Sequence, residues 1–436
     1  MLGYTGSLVE EGNMDLILYA VPFFFLLIFL ELAYGIARKK NTYRLNDTIN
    51  SLSLGSLSRL QSLVILGFSG VIYEFIVARM QLAQLPDDAS WVWISCFVLY
   101  DLAYYWKHRL GHEVALFWGS HVAHHQSEDF NLGTALRQTS IEFHGFLFYL
   151  PFFFIGYPAE VLFTVVSLNL IYQFWVHTEH VPKIDLLEWL LVTPSNHRVH
   201  HGRNDQYVDR NYGGVFIIWD RVFGTYQEEM SNDPVVYGLR KPLNSWNPIW
   251  ANIHVYWRLL LDFIQTSGLT NKFKLLFKPP GWRPVEQQTH CQLKRREFDP
   301  GSRFDPALSR FTACYTFTQF VLTVAATLYL LVNSGDFSYG VTTIAVAFLA
   351  FSFFVHGYWL ENKAYASTLE ALRLLLFFAL LRLDEISRAL DSAQPISQSL
   401  IVFSLSVILL HALLGTRQTK HRRPKREKPT HEGFKQ

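Results

Sequence analysis

The chain has 436 residues, enough for two or three soluble domains, but half of the residues are hydrophobic and 16% are aromatic. This composition favours a membrane protein over a set of soluble domains. The net charge of +2 excludes little, although basic residues are concentrated between long stretches that almost lack them. The three cysteines, Cys96, Cys291 and Cys314, are few and widely spaced, and they indicate neither a disulfide framework nor a thiolate metal site.

The N-terminal segment contains Glu10, Glu11 and Asp15 but no Lys or Arg before its first apolar run. A secretory signal peptide begins with basic residues, so this charge is wrong for one. We therefore expect the first apolar run to stay in the protein as a membrane anchor.

Nine apolar segments are candidates for membrane spans, since a helix needs about 20 apolar residues to cross a bilayer core about 30 Å thick. The fourth and fifth should form a tight hairpin broken at Pro158, because proline cannot continue a helix. The eighth is short and contains Arg373 and Arg382. The segments are residues 16–36, 60–78, 91–106, 143–157, 159–175, 312–332, 341–360, 371–383 and 400–414. The predicted fold class is an all-α polytopic membrane bundle of about seven to nine spans with a cytoplasmic, histidine-rich cap for two metals.

Clusters of basic residues follow the first, third and last of these segments. With the N-terminus outside and nine spans, all of the clusters fall in the cytoplasm, as the positive-inside rule requires. We expect N-terminal spans in residues 1–90, a core with a cytoplasmic cap in residues 91–310, C-terminal spans in residues 311–415 and a disordered basic tail in residues 416–436. The expected location is an endoplasmic reticulum or bacterial inner membrane, with the cap facing the cytoplasm.

A long polar segment, residues 177–310, lacks a convincing span and contains Trp246, Trp250 and Trp257 in an aromatic-rich helical stretch. These tryptophans are compatible with a helix that lies at the bilayer interface beside a lipid entrance. They are equally compatible with packing in a cytoplasmic core.

Histidines are the strongest chemical signal, because eleven of the 17 fall between His108 and His201. Residues four apart share a helical face, and residues three apart lie close to it, so each cluster is able to direct two or three imidazoles at one point. The clusters are the pair His108 and His112, the triplet His121, His124 and His125, and the triplet His197, His200 and His201.

Eight histidines are too many for one metal ion and suit two, with positions left for water or dioxygen. The helical zinc-hydrolase string His-Glu-x-x-His is absent. Neutral ligands leave the positive charge of the metals largely uncompensated, which indicates a strongly oxidising centre. His177 and His180, at the end of the fifth apolar segment, are further candidate ligands. His144 is assigned a capping or indirect role, and the remaining histidines are assigned structural roles.

Metal-bound imidazoles usually donate their other N–H group to a carboxylate or a carbonyl. Asp101, at the end of a span, and Glu113, next to His112, are the preferred carboxylates. Other acidic residues lie near the clusters in sequence, and any one of them is compatible with a solvated ion pair. They are Glu128, Asp129, Glu142, Glu179 and Asp205.

The order of the three histidine clusters among membrane spans resembles the fatty acid hydroxylase and sterol desaturase superfamily of membrane di-iron oxygenases. Longer strings resemble its alkylglycerol monooxygenase branch, and the close match covers about residues 101–229. They are HRLGHE at 108–113, HVAHHQSEDFNLGTALRQ at 121–138, QFWVHTE at 173–179 and TPSNHRVHHGRNDQYVDRNYGGVFIIWDRVFGT at 193–225. His180 departs from that branch, in which the counterpart of His177 stands without a second histidine.

The resemblance implies an enzyme that holds two iron ions and uses dioxygen to hydroxylate the carbon beside the ether oxygen of an alkylglycerol. It also implies that the eight clustered histidines are required, that Glu113 matches the acidic neighbour of the first pair, and that tetrahydrobiopterin supplies electrons. No dinucleotide, haem or flavin motif is present, so the expected partners are a membrane lipid, the bilayer, and a small reductant or an electron-donor protein, without nucleic acid.

Two alternatives remain open at this stage. A sterol or fatty-acyl hydroxylase or desaturase would share the metal site and differ in its substrate cavity. A zinc-binding polytopic transporter or scaffold would use the histidines for structure or transport.

Overall fold

The computed structural model describes residues 16–142, 145–284 and 303–389, which are predominantly helical. Within these ranges, β-pairing is limited to two isolated antiparallel bridges, Leu191 with Phe216 and Gly202 with Tyr237. The α-helices are α1 (Leu16–Ala37), α2 (Leu45–Arg79), α3 (Ser90–Glu113), α4 (Ala115–His121), α5 (Leu132–Ala135), α6 (Gly145–Ile155), α7 (Ala159–Trp175), α8 (Pro194–His200), α9 (Ile218–Phe223), α10 (Pro248–Gln265), α11 (Leu269–Phe277), α12 (Arg310–Val332), α13 (Tyr339–Leu360), α14 (Ala366–Leu380) and α15 (Asp384–Ala389).

Three described helices, α1, α12 and α13, are long and apolar enough to cross a membrane. Their 22 or 23 residues correspond to about 33 Å of helix at 1.5 Å per residue. Only 17% of the most apolar window of α1 is buried inside the protein, and Phe23, Phe29 and Ile36 are more than 60% exposed. A helix with such an apolar outer surface requires lipid around it. The protein is therefore a membrane protein, and the all-helical prediction is confirmed for the described residues.

The predicted hairpin is present, because α6 ends at Ile155 and α7 begins directly after Pro158. These helices have 11 and 17 residues, fewer than the roughly 20 that a full crossing needs. Helices α2 and α3 are longer but contain charged residues along their length. The predicted span at residues 400–414 lies outside the described residues. The number of spans therefore stays a prediction.

The chain divides into two compact units between Glu361 and Asn362. In the second unit, α14 contains most of the predicted eighth segment. There Arg373 donates from Nε to the buried Glu370 carboxylate at 3.0 Å. This pairing compensates the charge that made the segment look unfavourable as an apolar helix.

The core of the first unit holds the ends of the helices that carry the histidines. Phe24, Phe174, Phe320 and Phe353 lie in a cluster that joins α1, α2, α7, α12 and α13. A second cluster packs α3 against α6 and α7 through Val92, Cys96, Val161 and neighbouring residues. Because α3 and α7 pack against each other, the histidines at the end of α3 lie near the segment that follows α7.

Candidate metal centre

Nine of the ten histidines predicted as ligands converge in two adjacent groups. In each group the candidate ligand atoms lie within 4.8 Å of one another. Group A is His108, His112, His121, His125 and His200, and group B is His124, His177, His197 and His201. All of these residues except the half-buried His121 are buried.

Each histidine triplet divides its rings between the two groups. His121 and His125 face group A, whereas His124 faces group B. In the second triplet, His197 and His201 face group B, whereas His200 faces group A. The two residues of a triplet that are four apart belong to the same group, because they share a helical face. The remaining residue of the triplet projects from a different face and belongs to the other group. The adjacent pairs His124–His125 and His200–His201 therefore each span both groups.

The inward nitrogens have the spacing of ligands on one metal ion. In group A, His121 Nε2 lies 3.0 Å from Nε2 of both His108 and His125. In group B, His197 Nε2 lies 2.9 Å from Nε2 of His177 and 3.2 Å from that of His201. Metal–nitrogen bonds of about 2.1 Å at right angles place neighbouring nitrogens about 3.0 Å apart. The spacing therefore fits an octahedral edge.

The outward nitrogens determine which ring atom carries the proton. Nδ1 of four histidines lies 2.8 or 2.9 Å from a backbone carbonyl oxygen: His108 from Tyr212, His124 from Arg137, His177 from Gln173 and His200 from Arg210. A carbonyl oxygen only accepts, so each Nδ1 donates its proton and each Nε2 keeps a bare lone pair.

Two of these lone pairs meet without a hydrogen between them. Nε2 of His124 and Nε2 of His177 face each other at 3.2 Å, although both rings are protonated on the opposite nitrogen. Two lone pairs at this distance repel unless a cation lies between them. The buried Nε2 of His112 also lacks a hydrogen-bond partner among the described residues, while its Nδ1 lies 3.5 Å from Asp209. Both observations fit metal binding at the inward nitrogens.

Burial keeps the imidazoles neutral, as metal binding requires. Removal from water is the largest cause that lowers the pKa of His121, His125 and His200 well below the usual value, followed by repulsion from neighbouring histidines. The same causes lower the pKa of His197 and His201, and burial lowers the pKa of His124 to about 4. Neutral rings present a free lone pair at physiological pH.

His180 lies outside both groups. Its ring packs edge-on against Tyr34, with centroids 5.2 Å apart. It follows His177 by three residues in a turn rather than in a helix, and the turn directs its ring away from group B. The structure therefore does not bring His180 together with the other candidate ligands. His144 lies outside the described residues.

The two preferred carboxylates do not hydrogen-bond to a histidine within the described residues. Asp101 is fully buried and accepts from the backbone N–H groups of Val215 and Phe216 at 2.8 and 2.9 Å, and from side chains of Asn169 and Trp219. It thereby fixes the segment that follows Tyr212, whose carbonyl accepts from His108. Glu113 pairs with Arg109 at 2.9 Å, and its side chain is 37% exposed.

Sequence reasoning missed three buried residues that hold the histidine-bearing segments. Asp220 accepts from the backbone N–H groups of Tyr212 and Gly213. Arg137, 1% exposed, presents its carbonyl to His124 and donates to Ala123 O at 2.8 Å. In α1, the buried Glu31 accepts from Thr178 Oγ1 and from Leu132 N. A carboxylate in an apolar helix was the available signal, because such residues usually have a specific partner.

A cavity of about 360 Å³ reaches both histidine groups. Its walls include His108 and His121 of group A and His124 and His177 of group B. Apolar residues of α1, α7 and α12 line much of the remainder, among them Phe24, Phe25, Ile171, Leu328 and Leu331, and polar residues complete the lining. An elongated apolar molecule therefore has a route from the membrane helices to the histidines.

Comparisons with known proteins agree with this arrangement. The sequence model of the family described as fatty acid hydroxylase matches residues 93–225, a range that contains all nine grouped histidines. Alkylglycerol monooxygenase of Homo sapiens is 37% identical over 414 residues, covering 94% of this chain and 91% of the relative. The protein of the same name from Xenopus tropicalis is 35% identical, covering 86% and 84%, and the one from Caenorhabditis elegans is 31% identical, covering 85% and 78%.

No solved structure matches the chain significantly. The similarity to the curated relatives nevertheless extends over most of both chains. The chain therefore belongs to the alkylglycerol monooxygenase family and is an oxidoreductase.

Proposed function

We propose that the protein is a di-iron membrane monooxygenase that hydroxylates the alkyl carbon next to the ether oxygen of an alkylglycerol. The observation that carries this proposal is the continuity of one cavity with both histidine groups and with apolar residues of the membrane-length helices α1 and α12. A lipid chain in this cavity would bring one carbon to the histidines. The family relatives named for this activity support the choice of substrate.

The nine grouped histidines are the proposed iron ligands, five in group A and four in group B. For four of them, His108, His124, His177 and His200, the backbone carbonyl partner holds the ring in the tautomer that frees Nε2 for a metal. Asp101 is proposed as a positioning residue rather than a ligand, and Glu113 as a surface ion-pair partner of Arg109. His180 is not among the proposed ligands.

The proposed reaction inserts one oxygen atom of dioxygen into a C–H bond and reduces the other to water with two electrons and two protons. Bound iron would supply the activation of dioxygen. The product is a hemiacetal, which breaks its C–O bond to release a fatty aldehyde and a glycerol derivative. Tetrahydrobiopterin is the proposed two-electron donor, on the basis of the family resemblance. The buried histidines and apolar cavity walls would keep bulk water from the reacting carbon.

We further propose that the histidine groups face the cytoplasm in a multi-pass topology of up to nine spans. This proposal depends on the basic clusters after the first, third and last apolar segments. The substrate would enter sideways from the bilayer, since α1 and α12 contribute to the cavity wall.

The test is to incubate the purified protein with an alkylglycerol, dioxygen and tetrahydrobiopterin and to quantify fatty aldehyde. We expect aldehyde release that stops when either dioxygen or the pterin is omitted. A sterol or fatty-acyl hydroxylase would release no aldehyde from this substrate while it oxidises a sterol or an acyl chain, and that result would overturn the proposal.

A further inference from the structure

One part of the cavity wall is polar, although most of the cavity is apolar. The polar or charged residues of its lining include Tyr104, Lys107, Gln138, Thr139, Glu142 and Gln173, together with Ser56, Ser58 and Arg59 of α2, Ser120 of α4 and Thr327 of α12. Tyr104, Lys107 and Gln173 lie within four residues of the cavity-lining His108 or His177 in sequence, whereas most of the apolar lining residues come from α1, α7 and α12. The cavity thus fits an amphiphile whose polar head lies next to the histidines and whose tail extends away from them.

Helical spacing explains why polar side chains border both histidine groups. Tyr104 precedes His108 by one turn of α3, and the two rings lie 5.4 Å apart. Gln173, near the end of α7, lies four residues before His177, and its carbonyl oxygen accepts from His177 Nδ1 at 2.8 Å. Tyr104 donates its hydroxyl hydrogen to Gln173 Oε1 at 2.6 Å. This hydrogen bond connects the polar residue next to group A with the polar residue next to group B.

An ion pair between Lys107 and Glu142 completes the polar wall. The Lys107 side chain is 18% exposed and the Glu142 side chain 39% exposed. The Lys107 ammonium also lies 5.9 Å from the ring centroids of both Tyr104 and Tyr149. These contacts fix the ammonium at the cavity wall, because a cation over aromatic faces is attracted by the rings.

The charges of Lys107 and Glu142 cancel next to His108, and at that place this favours a neutral headgroup over a charged one. A carboxylate headgroup would gain from Lys107 but would meet repulsion from Glu142 at the same place. A hydroxyl group both donates and accepts, so adjacent hydroxyls can donate to Glu142 and accept from Lys107 at once. A neutral polyol headgroup satisfies both members of the pair.

We propose that Lys107 and Glu142 are specificity-determining residues that bind the free hydroxyls of the glycerol moiety. This inference rests on the proposed function, because it assumes that an alkylglycerol occupies the cavity. Binding of the hydroxyls beside His108 places the polar head next to the histidines. The ether-adjacent carbon, at the junction of head and tail, then reaches the metal site, while methylene groups further along the chain lie in the apolar part.

The experiment compares an alkylglycerol with an alkyl methyl ether of the same chain length, which has the same reacting carbon but no hydroxyls. Hydroxylation of either compound beside the ether oxygen releases the same fatty aldehyde. For the wild-type protein we expect kcat/KM for the alkylglycerol to be at least about tenfold higher, since hydrogen bonds to charged groups are among the stronger ones. In Glu142→Gln and Lys107→Met this ratio should fall towards one, mainly through a higher KM for the alkylglycerol.

The control is Glu228→Gln, which breaks a surface ion pair with Lys183 and should leave the ratio unchanged. Because the ratio is measured on one preparation at a time, partial loss of folded protein does not alter it, and either variant suffices if the other fails to fold. A wild-type ratio that both variants retain would overturn the inference while leaving the proposed function intact. A wild-type protein that releases no aldehyde from the alkylglycerol would overturn the proposed function itself.

Discussion

His124 and His180 are the same residue type, yet only the ring of His124 belongs to a group of converging nitrogens. Replacing a ligand leaves the neighbouring lone pairs without the metal that relieves their repulsion. For His124→Ala we therefore expect at least about a tenfold loss of iron affinity and loss of activity. For the matched variant His180→Ala we expect wild-type iron content. The measurement is the iron content of both purified variants. Equal losses of iron would contradict the assignment of His124 to group B.

Asp101 holds two backbone N–H groups and two side-chain donors with one buried carboxylate. In Asp101→Asn, the new side-chain NH2 group would face hydrogen-bond donors that now donate to the carboxylate. Some of these buried donors would then lack an acceptor. We expect a loss of about 1–3 kcal/mol in stability, with weaker iron binding because the Tyr212 carbonyl shifts from His108. Thermal denaturation and iron titration measure both effects.

The comparison variant for Asp101→Asn is Glu113→Gln, which removes an exposed i,i+4 ion pair. Such pairs contribute about 0.3–0.5 kcal/mol, so its stability and iron content should stay near wild type. A larger loss of iron from Glu113→Gln than from Asp101→Asn would instead assign Glu113 a direct role at the metal.

At the scale of elements, the close approach of α2 to the segment after α5 supports the metal centre. A Cβ at Gly55 would clash with the carbonyl oxygen of Leu136, next to the Arg137 carbonyl that holds His124. For Gly55→Ala we expect a destabilisation of about 1–3 kcal/mol and reduced iron retention, measured by thermal denaturation and iron analysis.

Gly340→Ala is the matched control for Gly55→Ala. Gly340 is also helical, but an added Cβ would meet nothing within 4 Å. Alanine there should be neutral or stabilise by up to about 1 kcal/mol, because it lowers the entropy of the unfolded chain. If both variants behaved alike, the contact between Gly55 and Leu136 would not be important.

Helices α10 and α11 have exposed apolar side chains, whose contact with water would be unfavourable. Ile264 is 64% exposed and Phe273 58% exposed, and Lys272 and Lys274 lie beside them in α11. This pattern is typical of helices at a bilayer interface. The tryptophans of this region differ in exposure, since Trp246 is buried at 5% exposure and Trp257 is 52% exposed.

A nitroxide label at Phe273→Cys tests this interfacial placement in lipid nanodiscs. We expect it to be accessible to dissolved oxygen and shielded from a water-soluble nickel chelate, because oxygen partitions into the bilayer. A label at Asp205→Cys, where the side chain is 94% exposed, is the control and should be open to the chelate. Equal access of the chelate to both labels would show that α11 faces water.

At the scale of the whole molecule, the nine grouped histidines join four parts of the chain that are distant in sequence. Metal ions bound by these residues should therefore stabilise the fold as well as support the reaction. We expect two irons per chain in the loaded protein and a lower Tm after chelation, reversed by adding iron. A Tm that does not change with chelation, or a plateau at one iron, would contradict the two-ion proposal.

The positions of α1, α7, α12 and α13 could be predicted from the sequence because lipid selects long apolar runs. Pro158 likewise predicted the break between α6 and α7, since the cause is local to the residue. The hydrogen bonds of Asp101 to Val215 and Phe216 could not be predicted, because these partners are backbone groups more than 100 residues away and no composition signal marks such a partner.

The sequence by itself determined the residue type of the proposed ligands, the pairing of histidines four apart and the apolar character of the membrane helices. Each of these depends on residues within one or two helical turns. Only the tertiary structure decided that each triplet divides between two groups, that His177 belongs with them and His180 does not, and that Lys107 and Glu142 face the same cavity. Those outcomes depend on how α3, α7 and α8 pack, and packing is set by contacts between residues far apart in the chain.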